Sequence, residues 1–269
     1  MAELVVSDLR VVFGARKAPI VAVDGVHLVV PDGGVVGLVG ESGSGKSTVA
    51  RTIVGIGAPT SGTITLGGED LLARRRGVSA VQRAKDVQMI FQDPYSSLNP
   101  RMTVGEALDE VLSIHTETPK DQRPASIRRL LDLVRLKAAA QEQYPSEMSG
   151  GMRQRVAIAR ALAVRPRLIV ADEITSALDA SVQGAVLNLI KDLREELGLS
   201  MLFITHNLAA VRYIADSVAV MHRGRIVEQG PATDVVAHPQ EAYTRELVGA
   251  IPRIDNAGTD YLLRTLEQR

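Results

Sequence analysis

Cysteine and tryptophan are both absent from the 269 residues. Without thiols there are no disulfides, no thiolate zinc sites, no cysteine-ligated iron–sulfur clusters and no cysteine nucleophile. A reducing compartment is compatible with that composition. Aromatic residues make up only 3% of the chain, too few for a base-stacking platform. Charge of either sign is not in excess: Lys+Arg and Asp+Glu each number 31, for a formal net charge of zero. This argues against nucleic acid or a strongly anionic surface as the main partner. No apolar run approaches the ~20 residues that a membrane-spanning helix needs. Met1 to Arg10 carries Glu3 and Asp8 and has no long apolar core, so no secretory signal is expected. The expectation is a protein soluble by itself, for which a membrane role would require separate membrane subunits. There is no internal repeat and no low-complexity segment, and the length suits one large domain or two small ones.

What is present is organised around one stretch, Gly40-Glu41-Ser42-Gly43-Ser44-Gly45-Lys46-Ser47-Thr48. It fits the phosphate-loop pattern G-x-x-x-x-G-K-[ST] at every fixed position. The apolar run Val35 to Val39 before it suits a buried strand, and Thr48 to Val54 after it can open a helix. Glycines let the backbone wrap phosphate oxygens without Cβ clashes, and the loop amides and helix N-terminus point at the anion. Lys46 reaches the β- and γ-phosphates, and the Ser47 hydroxyl can ligate Mg²⁺.

Alternation predicts strands over Leu4 to Phe13 and Val21 to Val30, with a loop from Gly14 to Pro19, then a short strand in Ser61 to Gly68. The triplet Arg74-Arg75-Arg76 reads as a solvated loop or helix end. After the strand Val87 to Phe91 the spacing turns helical, with predicted helices at Val104 to Ile114, Ala125 to Leu136 and Gly151 to Val164. Strand spacing returns at Leu168 to Ala171 and Met201 to Thr205, around a helix at Val182 to Leu197. A helix at Leu208 to Asp216 follows, then a hairpin pairing Val218 to His222 with Arg225 to Glu228 across Arg223-Gly224. From Ala232 the tail consists of short helices broken at Pro239 and Pro252. The pattern is an α/β nucleotide-binding core with a helical insert near residues 93–164.

Two further motifs carry chemistry. Arg167 to Glu173 is an apolar strand ending in Asp-Glu, so Asp172 can hold Mg²⁺ directly or through water, and Glu173 is placed to polarise an attacking water. Tyr144 to Leu162 contains Ser149-Gly150-Gly151 at a helix start, where the positive helix end and free amides face outward. A capping serine would account for Ser149 alone. It does not account for the phosphate loop and Asp-Glu strand on either side.

With these three motifs in that order, Leu4 to Gly230 resembles the ABC-transporter ATPases, whose signature motif usually reads Leu-Ser-Gly-Gly-Gln. The resemblance implies an α/β P-loop NTPase core, RecA-like and of the ABC type, with an antiparallel β subdomain and an inserted α-helical subdomain. It implies ATP and Mg²⁺ as cofactors. Ser149, Gly150 and Gly151 would bind the γ-phosphate of ATP held by another protomer. Gln92 resembles the Q-loop glutamine, a sensor of Mg²⁺ and γ-phosphate, and Ser176-Ala177-Leu178-Asp179 resembles the D-loop, which crosses the dimer. His206 resembles the switch histidine, whereas His27, His115, His222 and His238 receive a structural reading. Phe13 falls where the family's adenine-stacking aromatic lies, with core packing as its other reading. Met148, Met152 and Ile174 depart from the family's usual residues without removing a group that touches phosphate.

A narrower resemblance rests on Ile90 to Pro100 and on His238-Pro239…Tyr243-Thr244-Arg245…Ile251-Pro252, which look like the oligopeptide, dipeptide and nickel importer ATPases. It implies an ATPase domain at residues 1–232, with its helical part at about 93–164, and a branch-specific tail at 233–269. The expected partners are a second ATPase subunit, two transmembrane permease subunits and, indirectly, an extracytoplasmic solute-binding protein, with no nucleic acid. The expected location is the cytoplasmic face of the inner membrane. A soluble DNA-repair ATPase of this family would carry coiled-coil or zinc insertions, and a translation-factor ATPase would carry two phosphate loops; neither pattern occurs. A degenerate nucleotide-binding regulator would not retain Lys46, Asp172, Glu173 and His206.

Overall fold

The computed structural model describes residues 3–14, 18–73, 78–93 and 97–250. The Arg74-Arg75-Arg76 triplet, Pro94-Tyr95-Ser96 and the tail beyond residue 250 lie outside that range. The first sheet is antiparallel. It joins β1 (Leu4–Phe13), β2 (Ile20–Val30), β4 (Ser61–Leu66) and β5 (Glu69–Asp70) in the order β2-β1-β4-β5. In the second half of β2, buried and exposed residues alternate, as expected of a sheet with one face in the core.

The second sheet has the order β10-β9-β3-β8-β7-β6. Its parallel strands are β3 (Val35–Val39), β6 (Val87–Ile90), β7 (Leu168–Asp172), β8 (Ser200–Thr205) and β9 (Ser217–His222), and β10 (Arg225–Pro231) returns antiparallel to β9. Every residue of β3, β7 and β8 is buried, which explains their largely apolar character, with polar residues only at the ends of β7 and β8. The pleat sends alternate residues to two cores. Val36, Leu38, Val170 and Ile204 pack toward the antiparallel sheet and helix α1 (Lys46–Val54), whereas Val35, Val39, Ala171 and Phe203 pack toward the larger helices.

The helical insert comprises α3 (Val104–His115), α4 (Arg123–Leu133) and α5 (Gly150–Leu162), with two 3₁₀ turns, Ala138–Glu142 and Pro145–Glu147, between α4 and α5. Thr103 starts α3 with a capping box: the Glu106 amide donates to its hydroxyl, and the Glu106 carboxylate accepts from the Thr103 amide. The expected helix to Leu136 stops at Leu133 because the chain turns through Arg135 at φ +57°. Helices α6 (Ala180–Leu197), α7 (Leu208–Ile214), α8 (Ala232–Ala237) and α9 (Ala242–Gly249) complete the chain. Helix α2 (Val78–Asp86) and the two-residue β5 have no counterpart in the sequence reading. Among the described residues no helix is long and apolar enough to cross a membrane.

Candidate active site

The phosphate loop leaves the C-terminal end of β3, between β8 and β9, where open α/β sheets place their ligands. Its shape depends on what surrounds it. A Cβ on Gly40 would lie 2.1 Å from the Met221 carbonyl oxygen, and one on Gly45 would lie 2.4 Å from that of Ala22. The loop is therefore wedged between β9 and the first residues of β2. Gly224, in the β9–β10 turn, donates its amide to the Ser44 carbonyl at 2.9 Å. The Glu41 amide donates to the Tyr243 hydroxyl of α9 at 2.9 Å.

Lys46 is buried. Its ammonium donates to the carbonyls of Gly40 (2.7 Å) and Glu41 (2.8 Å) and to Ser44 Oγ (3.4 Å). Burial pushes the Lys46 pKa down, against the opposing pull of Glu173, Asp172 and Glu41. Across the sheet, Ser47 Oγ donates to Asp172 Oδ1 at 3.4 Å. Burial pushes the Asp172 carboxyl above its ordinary value, with the Ser47 hydrogen bond working against that. A hydroxyl beside a carboxylate is a hard-oxygen pair of the kind Mg²⁺ takes together with phosphate oxygens. The described residues contain no cluster of three acidic or histidine ligands, so these groups fit a nucleotide-borne cation rather than an all-protein metal cage.

Glu173 follows directly, in the left-handed region at φ +48°. For a side-chain-bearing residue this conformation costs on the order of 1–2 kcal/mol and persists only where neighbours enforce it. Here the Glu173 amide donates to the Ile204 carbonyl at 2.8 Å. The Ser176 amide and hydroxyl both donate to the Glu173 carbonyl, at 3.0 and 2.9 Å. The turn brings Glu173 Oε1 to 3.5 Å from Nδ1 of His206, just past β8. Gln92, just past β6, donates through Nε2 to Ser176 Oγ at 3.2 Å. Gln92, Ser176, Glu173 and His206 thus form one contact line along the ends of β6, β7 and β8.

Ser149 caps α5 by accepting from the Met152 amide at 3.3 Å. Among the described residues no hydrogen bond joins Ser149, Gly150 or Gly151 to the phosphate loop. Gly151 also has a packing reason: a Cβ there would meet Val182 Cγ1 at 2.5 Å, so the close approach of α5 to α6 at this point needs a glycine. Asp179 is the N-cap residue of α6, without a side-chain capping bond. Met148 and Ile174 are buried and Met152 packs against the same core, so all three departures replace groups in apolar surroundings. Phe13 pairs with Ile20 at the end of β1 and is 52% exposed, which removes the core-packing reading. Ile20 stands two residues before Ala22, which abuts Gly45.

A buried phosphate loop lysine facing an Asp-Glu strand across a parallel sheet defines a P-loop nucleotide-binding protein. The family model described as ABC transporter matches residues 23–176. The oligopeptide transport ATP-binding protein OppF of Lactococcus lactis subsp. lactis (strain IL1403) is 46% identical over 263 residues, covering 95% of this chain and 82% of its own. OppF of Bacillus subtilis (strain 168) is 44% identical over 253 residues, covering 94% of this chain and 83% of its own. A dimeric ATP-binding cassette, solved in a post-hydrolysis state with ADP and Pi, superposes with a TM-score of 0.75 at 27% identity, covering 85% of this chain and 98% of its own. The chain belongs to the ABC transporter family, and within it is an ATP-binding ATPase subunit.

Proposed function

We propose that this chain is the ATP-hydrolysing subunit of a peptide importer, working as a dimer beneath two membrane permease subunits at the cytoplasmic face of the inner membrane. An extracytoplasmic binding protein would deliver the solute. The peptide assignment draws on the relatives named for oligopeptide transport. The dimer draws on the dimeric cassette of similar fold.

In each proposed site, Gly40 to Thr48 cradle the ATP phosphates and Lys46 exchanges its loop carbonyls for phosphate oxygens. Phe13 stacks on the adenine. Ser47 and Asp172, with Gln92, would hold Mg²⁺, which would supply charge neutralisation on the phosphates. Glu173 accepts the proton of the attacking water, and His206 steadies Glu173 and the leaving phosphate. Ser149, Gly150 and Gly151 come from the other protomer, and Asp179 lies at the joint between protomers. The residues are assigned to an ATPase domain at 1–232, and 233–269 to a tail of the peptide-importer branch.

The observation that carries the coupling to transport is the line from Gln92 through Ser176 to the Glu173 backbone. Beside Gln92, a groove of about 240 Å³ lies between β6, α3 and α5, lined by Met89, Phe91, Val111, His115, Ala157 and Arg160. Phe91 is 39% exposed there. A permease segment seated in that groove can shift Gln92 and so move the Glu173 turn. Reconstitution in liposomes with candidate permease subunits and binding protein tests this. Peptide should raise ATP turnover and enter the liposomes. Stimulation by nickel and not by peptide would overturn the peptide assignment, and failure to assemble with any permease would favour a soluble ABC ATPase.

A further inference from the structure

The tail motif around Tyr243 has no part in the reaction outlined above, yet Tyr243 touches the phosphate loop. Its hydroxyl accepts from the Glu41 amide at 2.9 Å. The carbonyl of that same peptide unit, on Gly40, accepts from the Lys46 ammonium at 2.7 Å. One peptide group is therefore gripped at its N–H by the tail and at its C=O by the phosphate-binding lysine. A peptide unit is planar, so fixing its N–H direction fixes its carbonyl direction as well.

Tyr243 is itself firmly placed. It is buried, with its ring stacked on His222, the last residue of β9, at a centroid distance of 3.8 Å and an interplanar angle of 9°. The turn before α9 is tied to β10: the amides of Gln240 and Glu241 donate to the two Glu228 carboxylate oxygens at 2.8 and 3.2 Å. Arg245 closes the turn by donating to the Gln240 carbonyl at 2.6 Å. The contact is thus a built joint between the C-terminal segment and the nucleotide loop.

We propose that Tyr243 is a positioning residue of the nucleotide site, holding the Gly40–Glu41 peptide so that Lys46 and the loop amides are set for phosphate, and coupling α9 to nucleotide occupancy. The inference rests on the reading of Gly40 to Thr48 as the ATP phosphate loop. Because the loop holds phosphates in ground and transition states alike, losing this support weakens binding more than turnover. Linkage then requires the reciprocal effect, with bound nucleotide steadying α9.

Tyr243→Phe keeps the ring stack and removes only the hydroxyl. In the full chain it should weaken ATP affinity by about two- to tenfold, the worth of one neutral hydrogen bond, with turnover at saturating ATP within about twofold of wild type. Hydrogen exchange at residues 40–44 should quicken in the variant. ADP should slow exchange at residues 242–249 in wild type and do so less in the variant. Lys46→Ala separates the two levels of the argument. If Lys46→Ala loses ATP binding while Tyr243→Phe keeps wild-type affinity and exchange, Tyr243 only packs, and this inference is overturned with the loop reading intact. If Lys46→Ala binds ATP normally, the phosphate-loop reading itself is lost.

Discussion

Glu173 concentrates the chemistry proposed for this chain. It stands one residue past Asp172, the proposed Mg²⁺ ligand, in a left-handed turn enforced by two donors from Ser176, with its carboxylate toward His206. Glu173→Gln keeps the shape but cannot take a proton from water. It should retain ATP binding and lower hydrolysis by roughly 10²–10⁴-fold, read as single-turnover phosphate release from purified protein with contaminating ATPase excluded. Normal turnover would remove Glu173 as the base. At this scale the sequence was most informative where spacing is rigid. Lys46 and Ser47 sit in a fixed loop pattern, and Asp172-Glu173 ends an apolar strand, so their neighbourhood follows from local rules. Gln92 and His206 are legible only through the family resemblance, since a lone Gln or His after a strand has no signature of its own. The Tyr243 contact with Glu41 joins residues far apart in the chain, and periodicity carries no trace of it.

Elements position those residues, and helix α1 shows how. Its last turn leaves carbonyls without helical partners, and buried Arg83 of α2 fills them. The guanidinium donates to the carbonyls of Thr52 (2.8 Å), Ile53 (2.5 Å) and Leu71 (2.8 Å). Gly55, at φ +89°, makes room, because a Cβ there would lie 2.7 Å from Arg83 Cζ. Arg83→Ala should lower stability by about 2–4 kcal/mol, seen as a fall in denaturant midpoint at unchanged slope, because buried carbonyls lose a charged donor. A stability loss under about 0.5 kcal/mol would show that the carbonyls find other partners. Most strands and long helices were readable from alternation and helical spacing. Helix α2 was not, because it follows an arginine-rich stretch and is held by long-range contacts, among them the Arg83 guanidinium and the Asp86 carbonyl, which accepts from the Arg167 amide at 2.8 Å. The Gly151 contact with Val182 was equally hidden: the motif announces a glycine pair but not the helix packed against it.

At the scale of the whole molecule, the composite site proposed above divides into two parts of the chain. One is the phosphate loop with Asp172, Glu173 and His206 at the ends of the parallel strands. The other is the capped N-terminus of α5, joined to that loop by no hydrogen bond among the described residues. A two-protomer site is what the resemblance to the ABC ATPases implies from the order of the three motifs. The central claim is that Ser149 acts only on ATP bound by the opposite protomer, where loss of one preorganised donor can cost about 3–4 kcal/mol at the transition state. The most direct test mixes Ser149→Arg protomers with Lys46→Ala protomers, or places one change on each partner in both arrangements if the natural dimer is mixed. Each mutant alone should be nearly inactive. The mixed dimer combines both defects in one site and leaves the other intact, so activity should rise above either mutant, toward one working site per dimer. No recovery in any arrangement, with mixed dimers shown to form, would contradict the composite site.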